Sequence, residues 1–187
     1  RGPSVTPGYW RQPELTKTAF DEEGFYKLGD ALRFVDPEDV SRGFLFDGRI
    51  VEDFKLSTGT WVSTGPLRAK FLSHCAPYAQ DVVIAGHDRD DVTALIFPAV
   101  DACRQLTCVR VKFQSLLEEL AAGSSGSSNR IVRALLMDEP PSIDAHEVTD
   151  KGSLNQGAIL RNRAALVEEL YSPASSPRVI TIQKGSL

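Results

Sequence analysis

Gly48-Arg49-Ile50-Val51-Glu52-Asp53-Phe54-Lys55-Leu56-Ser57-Thr58-Gly59-Thr60-Trp61-Val62 divides the chain into two textures. Within this stretch Phe54-Lys55-Leu56 and Thr60-Trp61-Val62 flank Ser57-Thr58-Gly59, a pattern that predicts a hairpin. Upstream, from Gly8 to Gly48, the aromatic-rich runs Gly24-Phe25-Tyr26-Lys27-Leu28 and Gly43-Phe44-Leu45-Phe46 lie between Gly, Pro and Asp, and predict short strands between turns. So few strands cannot close a sheet, and their apolar face calls for further strands.

Downstream, strands and helices alternate. Pro66 sits near the start of a helix running to about Cys75, with Leu67, Phe71 and Leu72 on one face. Asp81-Val82-Val83-Ile84-Ala85-Gly86 and Val92-Thr93-Ala94-Leu95-Ile96-Phe97 are branched, apolar strand candidates joined by the polar turn His87-Asp88-Arg89-Asp90-Asp91. Val109, Phe113, Leu116, Leu117 and Leu120 recur at helical spacing and Gly123 ends the pattern. The run Gly123 to Ser128 is a flexible loop by composition, and Ile131 to Met137 is a further strand. A turn-rich segment at Pro140-Pro141 follows, then a helix expected from Asn155 to Tyr171, and an edge strand from Arg178 to Ile182. The expected fold is α+β: a β-rich, incomplete part over residues 1–48, then a small α+β domain over 49–187.

The chain has 187 residues, 42% of them hydrophobic and 25% charged, the make-up of an ordinary globular protein. No apolar run approaches the roughly 20 residues that span a bilayer, so no membrane partner is expected and the cytoplasm is the default location. A net charge of -4 argues against general nucleic-acid binding, which needs a basic stripe. Cys75, Cys103 and Cys108 are an odd set without paired metal spacing and read as reduced, mostly buried thiols. His74 and Cys75 adjoin, and neighbours on a helix point about 100° apart, so they are no catalytic dyad. The turn from His87 to Asp91 reads as exposed rather than metal-binding, and no metal site is expected.

Tyr26-Lys27-Leu28-Gly29-Asp30, followed by Gly48-Arg49 with Lys55 and Gly59, resembles the hinge region of adenylate-forming acyl-CoA ligases. Gly8-Tyr9-Trp10, Pro13, Thr16 and Phe20 resemble the segment that precedes the nucleotide site in that superfamily. The resemblance implies that Asp30 accepts hydrogen bonds from both ribose hydroxyls of ATP or AMP, and that Arg49 reaches ribose or phosphate oxygens. Those residue types suit the tasks: a carboxylate has several acceptor sites, and a guanidinium is a permanently charged fork of donors. Val51 stands at the position about which the C-terminal domain rotates in the family, where Asp or Lys is common. Gly59 and Trp61 would line the pantetheine tunnel for CoA after rotation.

Thr149-Asp150-Lys151-Gly152-Ser153-Leu154-Asn155-Gln156 is similar to the loop whose lysine assists adenylation. Here the lysine precedes the glycine and Ser153 stands where the lysine is usual, so Lys151 is the candidate by nearness; the alternative is a solvated lysine before a helix cap. The word set as a whole is most similar to the feruloyl-CoA synthase branch. That implies ATP, Mg2+ and CoA as substrates of a complete enzyme acting on a hydroxycinnamate-type or other carboxylic acid. The chain opens at Arg1 and carries neither the phosphate loop nor the acid pocket, so it is expected to be the C-terminal portion, inactive without a missing large N-terminal domain. The competing expectation is a stand-alone accessory or interaction module.

Overall fold

A proline at the first helical position opens α1 (Pro13–Ala19), where its missing N–H costs nothing. Only strands and turns were expected here; the helix has 7 residues and buries none of them, so it carries no apolar stripe. The computed structural model describes residues 1–173 and 176–182. They fall into two units, Arg1–Ile50 and Val51–Leu187. In the first, β1 (Asp30–Phe34) pairs antiparallel with β2 (Phe44–Arg49). The strand expected from Gly24 to Leu28 reduces to a bridge between Phe20 and Tyr26, whose rings lie 5.3 Å apart. The chain straightens only after Gly29, whose φ of 79° suits a residue without Cβ. Gly48 is the one buried residue of this unit. Leu32, Phe34, Phe44, Leu45 and Phe46 are all exposed.

The second unit begins with the expected hairpin, β3 (Phe54–Lys55) against β4 (Trp61–Val62). Helix α2 (Thr64–Cys75) follows, with Pro66 in its first turn. The Thr64 N–H donates to the Asp53 carboxylate and its hydroxyl to the Glu52 carbonyl, each at 2.8 Å, which ties the chain after Val51 to the start of α2. Next come β5 (Ala79–Ala85) and β6 (Val92–Pro98), α3 (Val100–Cys103), α4 (Val109–Ala122) and β7 (Ile131–Leu136). The sheet order is β5-β6-β7-β8, where β8 (Val179–Thr181) is the expected edge strand; residues 183–187 of the tail lie outside the described residues. β6 and β7 run parallel, the step that requires a crossover, and α3 and α4 provide it.

Alternation along the strands sends side chains to both faces. Val82, Ile84, Ala94 and Ile96 pack with Phe71 of α2 and Phe113 and Leu117 of α4. Val83, Leu95, Phe97 and Leu135 pack on the other side with Ile159 and Leu170. A sheet covered twice explains why its strands read as continuous apolar runs. The helix expected from Asn155 to Tyr171 is two, α5 (Gln156–Asn162) and α6 (Ala164–Tyr171), broken at Arg163. Among the described residues, no helix is long and apolar enough to cross a membrane.

Candidate functional site

Asp30 and Arg49 are partners in the β1–β2 ladder, and between the strands the chain turns back through Asp36 and Asp39, whose carboxylates accept backbone N–H bonds, and Gly43, at a φ of 81°. The Ile50 N–H donates to the Gly29 carbonyl at 2.9 Å and closes the end of the ladder. Both side chains are exposed, and among the described residues neither is engaged in a hydrogen bond or an ion pair. The ladder thus presents an acceptor and a permanent cation side by side, both with their bonding capacity open. Arg33 on the same strand is instead committed to Asp47, at 3.2 Å.

Gly59 and Trp61 lie on the β3–β4 hairpin. The Gly59 N–H donates to the Leu56 carbonyl at 2.8 Å and closes the turn, while half-exposed Trp61 has the Lys55 ammonium 5.9 Å from its ring centre. The turn from His87 to Asp91, read as solvated, has a structural task. Asp88 N–H donates to the Lys55 carbonyl at 3.0 Å, Ser57 N–H to the Arg89 carbonyl at 2.9 Å, and the Ser57 hydroxyl to Asp90 at 2.6 Å. The hairpin is therefore anchored to the β5–β6 turn. Gly86 permits this approach, since a Cβ there would stand 2.8 Å from the Phe54 ring.

Lys151 occupies the tip of a second, shorter hairpin. Val148 bridges Leu154, the Thr149 N–H donates to the Ser153 carbonyl at 2.8 Å, and the Thr149 and Ser153 hydroxyls share a hydrogen bond of 2.8 Å. Ser153, at the position where the lysine is usual, is consumed inside the hairpin. Lys151 is exposed and, among the described residues, makes no hydrogen bond or ion pair. The loop that carries Lys151 is thus closed at its neck. The following Asn155-Gln156 pair is structural: Asn155 Oδ1 accepts from the Ala158 N–H to cap α5, and Gln156 Oε1 accepts from the Ile84 N–H on the open edge of β5.

Beneath this hairpin lies a pair of residues that sequence reasoning missed. Glu147 is 2% exposed and takes two bonds from Arg163, Nε to Oε1 at 3.0 Å and Nη2 to Oε2 at 2.7 Å. Arg163 also donates to the Glu139 and Pro140 carbonyls at 3.1 and 2.8 Å, and its guanidinium stacks 5.2 Å over Phe97. The Ser142 N–H donates to Glu147 Oε2 at 2.8 Å. Arg163 holds the Glu147 carboxyl below the usual carboxylate range, while burial pushes the other way and the Ser142 N–H assists the arginine. Nothing local marks the pair, because Glu147 and Arg163 are separated by the whole hairpin and a helix.

Cys75 is buried and pushed up to about 12 by that burial, so it carries no thiolate; His74 Nε2–H donates instead to the Leu116 carbonyl at 3.0 Å. Cys103 is buried and Cys108 exposed, each a free thiol. Among the described residues, no three His, Cys, Asp or Glu side chains converge to hold a metal ion.

The AMP-binding enzyme C-terminal domain family matches residues 52–175, more than half of the chain. The chain belongs to this family, and with it to the adenylate-forming superfamily. Among curated relatives it is 25% identical over 181 residues to a chloroplastic long-chain-fatty-acid acyl-carrier-protein ligase of Arabidopsis thaliana, covering 92% of this chain and 25% of that protein. It is 27% identical over 173 residues to a carboxylic acid reductase of Mycobacterium marinum, covering 90% and 14%. The chain thus spans a quarter or less of either relative. Its fold is shared with the A domain of the carboxylic acid reductase from Segniliparus rugosus, at a TM-score of 0.75 and 24% identity over 91% of this chain and 27% of that one.

Proposed function

We propose that this chain is the C-terminal portion of an ATP-dependent acid-CoA ligase of the feruloyl-CoA synthase type. Residues 1–48 are read as the end of a large adenylation domain, and residues 49–187 as the small domain after the hinge. The observation that carries the reading is the pairing of Asp30 with Arg49, both exposed and uncommitted, immediately before a segment that belongs to the AMP-binding C-terminal family. A free-standing interaction module has no evident use for that pair.

In the proposed reaction a carboxylate oxygen of the acid attacks the α-phosphorus of ATP. Pyrophosphate leaves and an acyl-adenylate forms. The thiol of CoA then attacks the acyl carbonyl, loses its proton and expels AMP. Asp30 would accept from the ribose hydroxyls and Arg49 would donate to ribose or phosphate oxygens, holding the nucleotide through both steps. Lys151 would offset the negative charge that accumulates where two anions meet at phosphorus. Trp61 and Gly59 would border the path of the pantetheine arm. Mg2+ would arrive with the phosphates of ATP rather than on a site of this chain.

The acid is read as a hydroxycinnamate-type or other carboxylic acid, on the resemblance of segments 52–63 and 150–156 to the feruloyl-CoA synthase branch. One of the relatives is named for an acyl-carrier protein instead of CoA. The test is ATP–pyrophosphate exchange by the complete gene product, offered ferulate, coumarate, caffeate and a long-chain fatty acid. Exchange with a hydroxycinnamate, then AMP release on adding CoA, is the expected result. Exchange with the fatty acid alone would overturn the substrate, and no exchange with any acid would favour the interaction module.

A further inference from the structure

Lys151 can act on a reacting phosphorus only if its hairpin holds a fixed direction, and the hairpin's own bonds fix its shape without fixing where it points. Its neck is the relevant part. The strand into the hairpin leaves directly from Glu147, and the strand out ends at Asn155, whose N–H donates to the Glu147 carbonyl at 2.8 Å. Glu147 is therefore the common root of both strands: its backbone holds the exit, and its carboxylate is locked below.

The lock is Arg163. Its guanidinium binds the Glu147 carboxylate in a fork and reaches the carbonyls of Glu139 and Pro140, so a single side chain holds both ends of the connection from β7 to the hairpin. The Glu147 N–H donates to the Ser142 carbonyl at 2.9 Å and the Asn162 amide to the Ala145 carbonyl at 2.9 Å, which secures the middle of that connection. To supply this fork the chain breaks its helix at Arg163, where φ is -106° and ψ is 29°. The Arg163 backbone stays bonded across this break, its N–H donating to the Ile159 carbonyl at 2.9 Å and its carbonyl accepting from the Val167 N–H at 3.2 Å, so the side chain that grips the hairpin's root is itself mounted on a fixed backbone. A lysine at 163 could neutralise Glu147, but as a point charge it could not span the carboxylate and two carbonyls.

We propose that Glu147 and Arg163 are positioning residues that orient the Lys151 hairpin for the adenylation step; this rests on the role assigned to Lys151 above.

The test uses the complete gene product carrying Arg163→Lys or Glu147→Gln, with Arg68→Lys as the control. Arg68 forms an equally forked pair with Asp81, at 2.9 and 2.7 Å, between α2 and β5. For either test variant, acyl-adenylate formation should fall about 10- to 100-fold while thioester formation from supplied acyl-adenylate stays within about twofold, since small misplacements of an acting group cost rate at its own step. In a Lys151→Ala background the same substitutions should cost almost nothing further, because they act through that lysine. Hydrogen exchange at residues 148–154 should accelerate in both test variants and not in the control. Equal loss in the two half-reactions, additivity with Lys151→Ala, or unchanged exchange would each overturn the proposal. If Lys151→Ala leaves adenylation intact, the assignment of Lys151 falls. The exchange measurement then still decides whether the pair sets the hairpin. A variant that fails to show the cooperative melt of the parent is set aside for its partner, which tests the same clamp from the other side.

Discussion

Residues 1–50 and residues 51–187 obey opposite rules of burial. The second unit places its large apolar side chains on both sides of a four-stranded sheet, with Phe71 and Phe113 wholly enclosed. The first makes a regular ladder and several side-chain-capped turns, yet leaves Leu32, Phe34, Phe44, Leu45 and Phe46 exposed. Burying each of these would be worth about 1.5–3 kcal/mol. Backbone hydrogen bonding and turn chemistry suffice to shape a hairpin, but they give little net stability against the entropy of ordering it. A ladder of this kind depends on an apolar surface that it does not itself possess.

The two units should behave most differently when they are separated. Residues 51–187 alone should show dispersed amide resonances and one cooperative urea transition, whereas residues 1–50 alone should show the narrow dispersion of an unfolded chain. A dispersed spectrum from 1–50 would mean that local bonds carry more than argued. At the level of single residues, Phe71→Ala should lower the stability of the whole chain by about 3–5 kcal/mol, since it empties a fully enclosed site. Phe46→Ala, at a position 64% exposed, should change it by no more than about 0.5 kcal/mol. Comparable losses in urea melts of the two variants would show that Phe46 already has a partner.

The same contrast explains what was legible beforehand. Val82 to Ile84 and Val92 to Phe97 were readable as strands because burial on both faces forces branched apolar residues into unbroken runs. Gly29-Asp30 and Gly48-Arg49 were readable only through their resemblance to the hinge region of the ligases; taken alone, Gly-Asp reads as an ordinary turn. In the first unit the signal fades: α1 buries nothing, and β1 mixes Asp30 and Arg33 with Leu32 and Phe34, so neither has a clean period. The break between α5 and α6 was hidden for another reason. Ile159, Leu166 and Leu170 keep an apolar face across it, and the partners that Arg163 meets there, the Glu147 carboxylate and the Glu139 and Pro140 carbonyls, lie 16 to 24 residues away in sequence.

Acid sharpens the distinction between committed and uncommitted charges. The Glu147 carboxyl is held below its ordinary range in the folded chain, so its contribution is complete above that range and is lost as the pH falls through the lowered value. Glu147→Gln should cost about 1.5–3 kcal/mol at neutral pH, the worth of a hydrogen bond to a charged group, and should flatten the acid limb of the stability profile. An unaltered acid limb would place the titrating group elsewhere.

Asp30 and Arg49 should give the smallest effect on stability. Each side chain is exposed and makes no bond within the described residues, so Asp30→Ala or Arg49→Ala should leave the melting curve within about 0.5 kcal/mol of the parent. Stability and binding should then part company. If Asp30 accepts from ribose hydroxyls, its loss removes charge-assisted bonds worth about 1.5–3 kcal/mol, which calorimetric titration of the complete gene product with AMP would read as a weakening of roughly 10- to 150-fold. A stability loss without a change in AMP affinity would make the pair part of the ladder's framework instead. Charges kept free on a ladder that lacks a core are useful only toward something outside it, and the nucleotide titration decides whether that something is AMP.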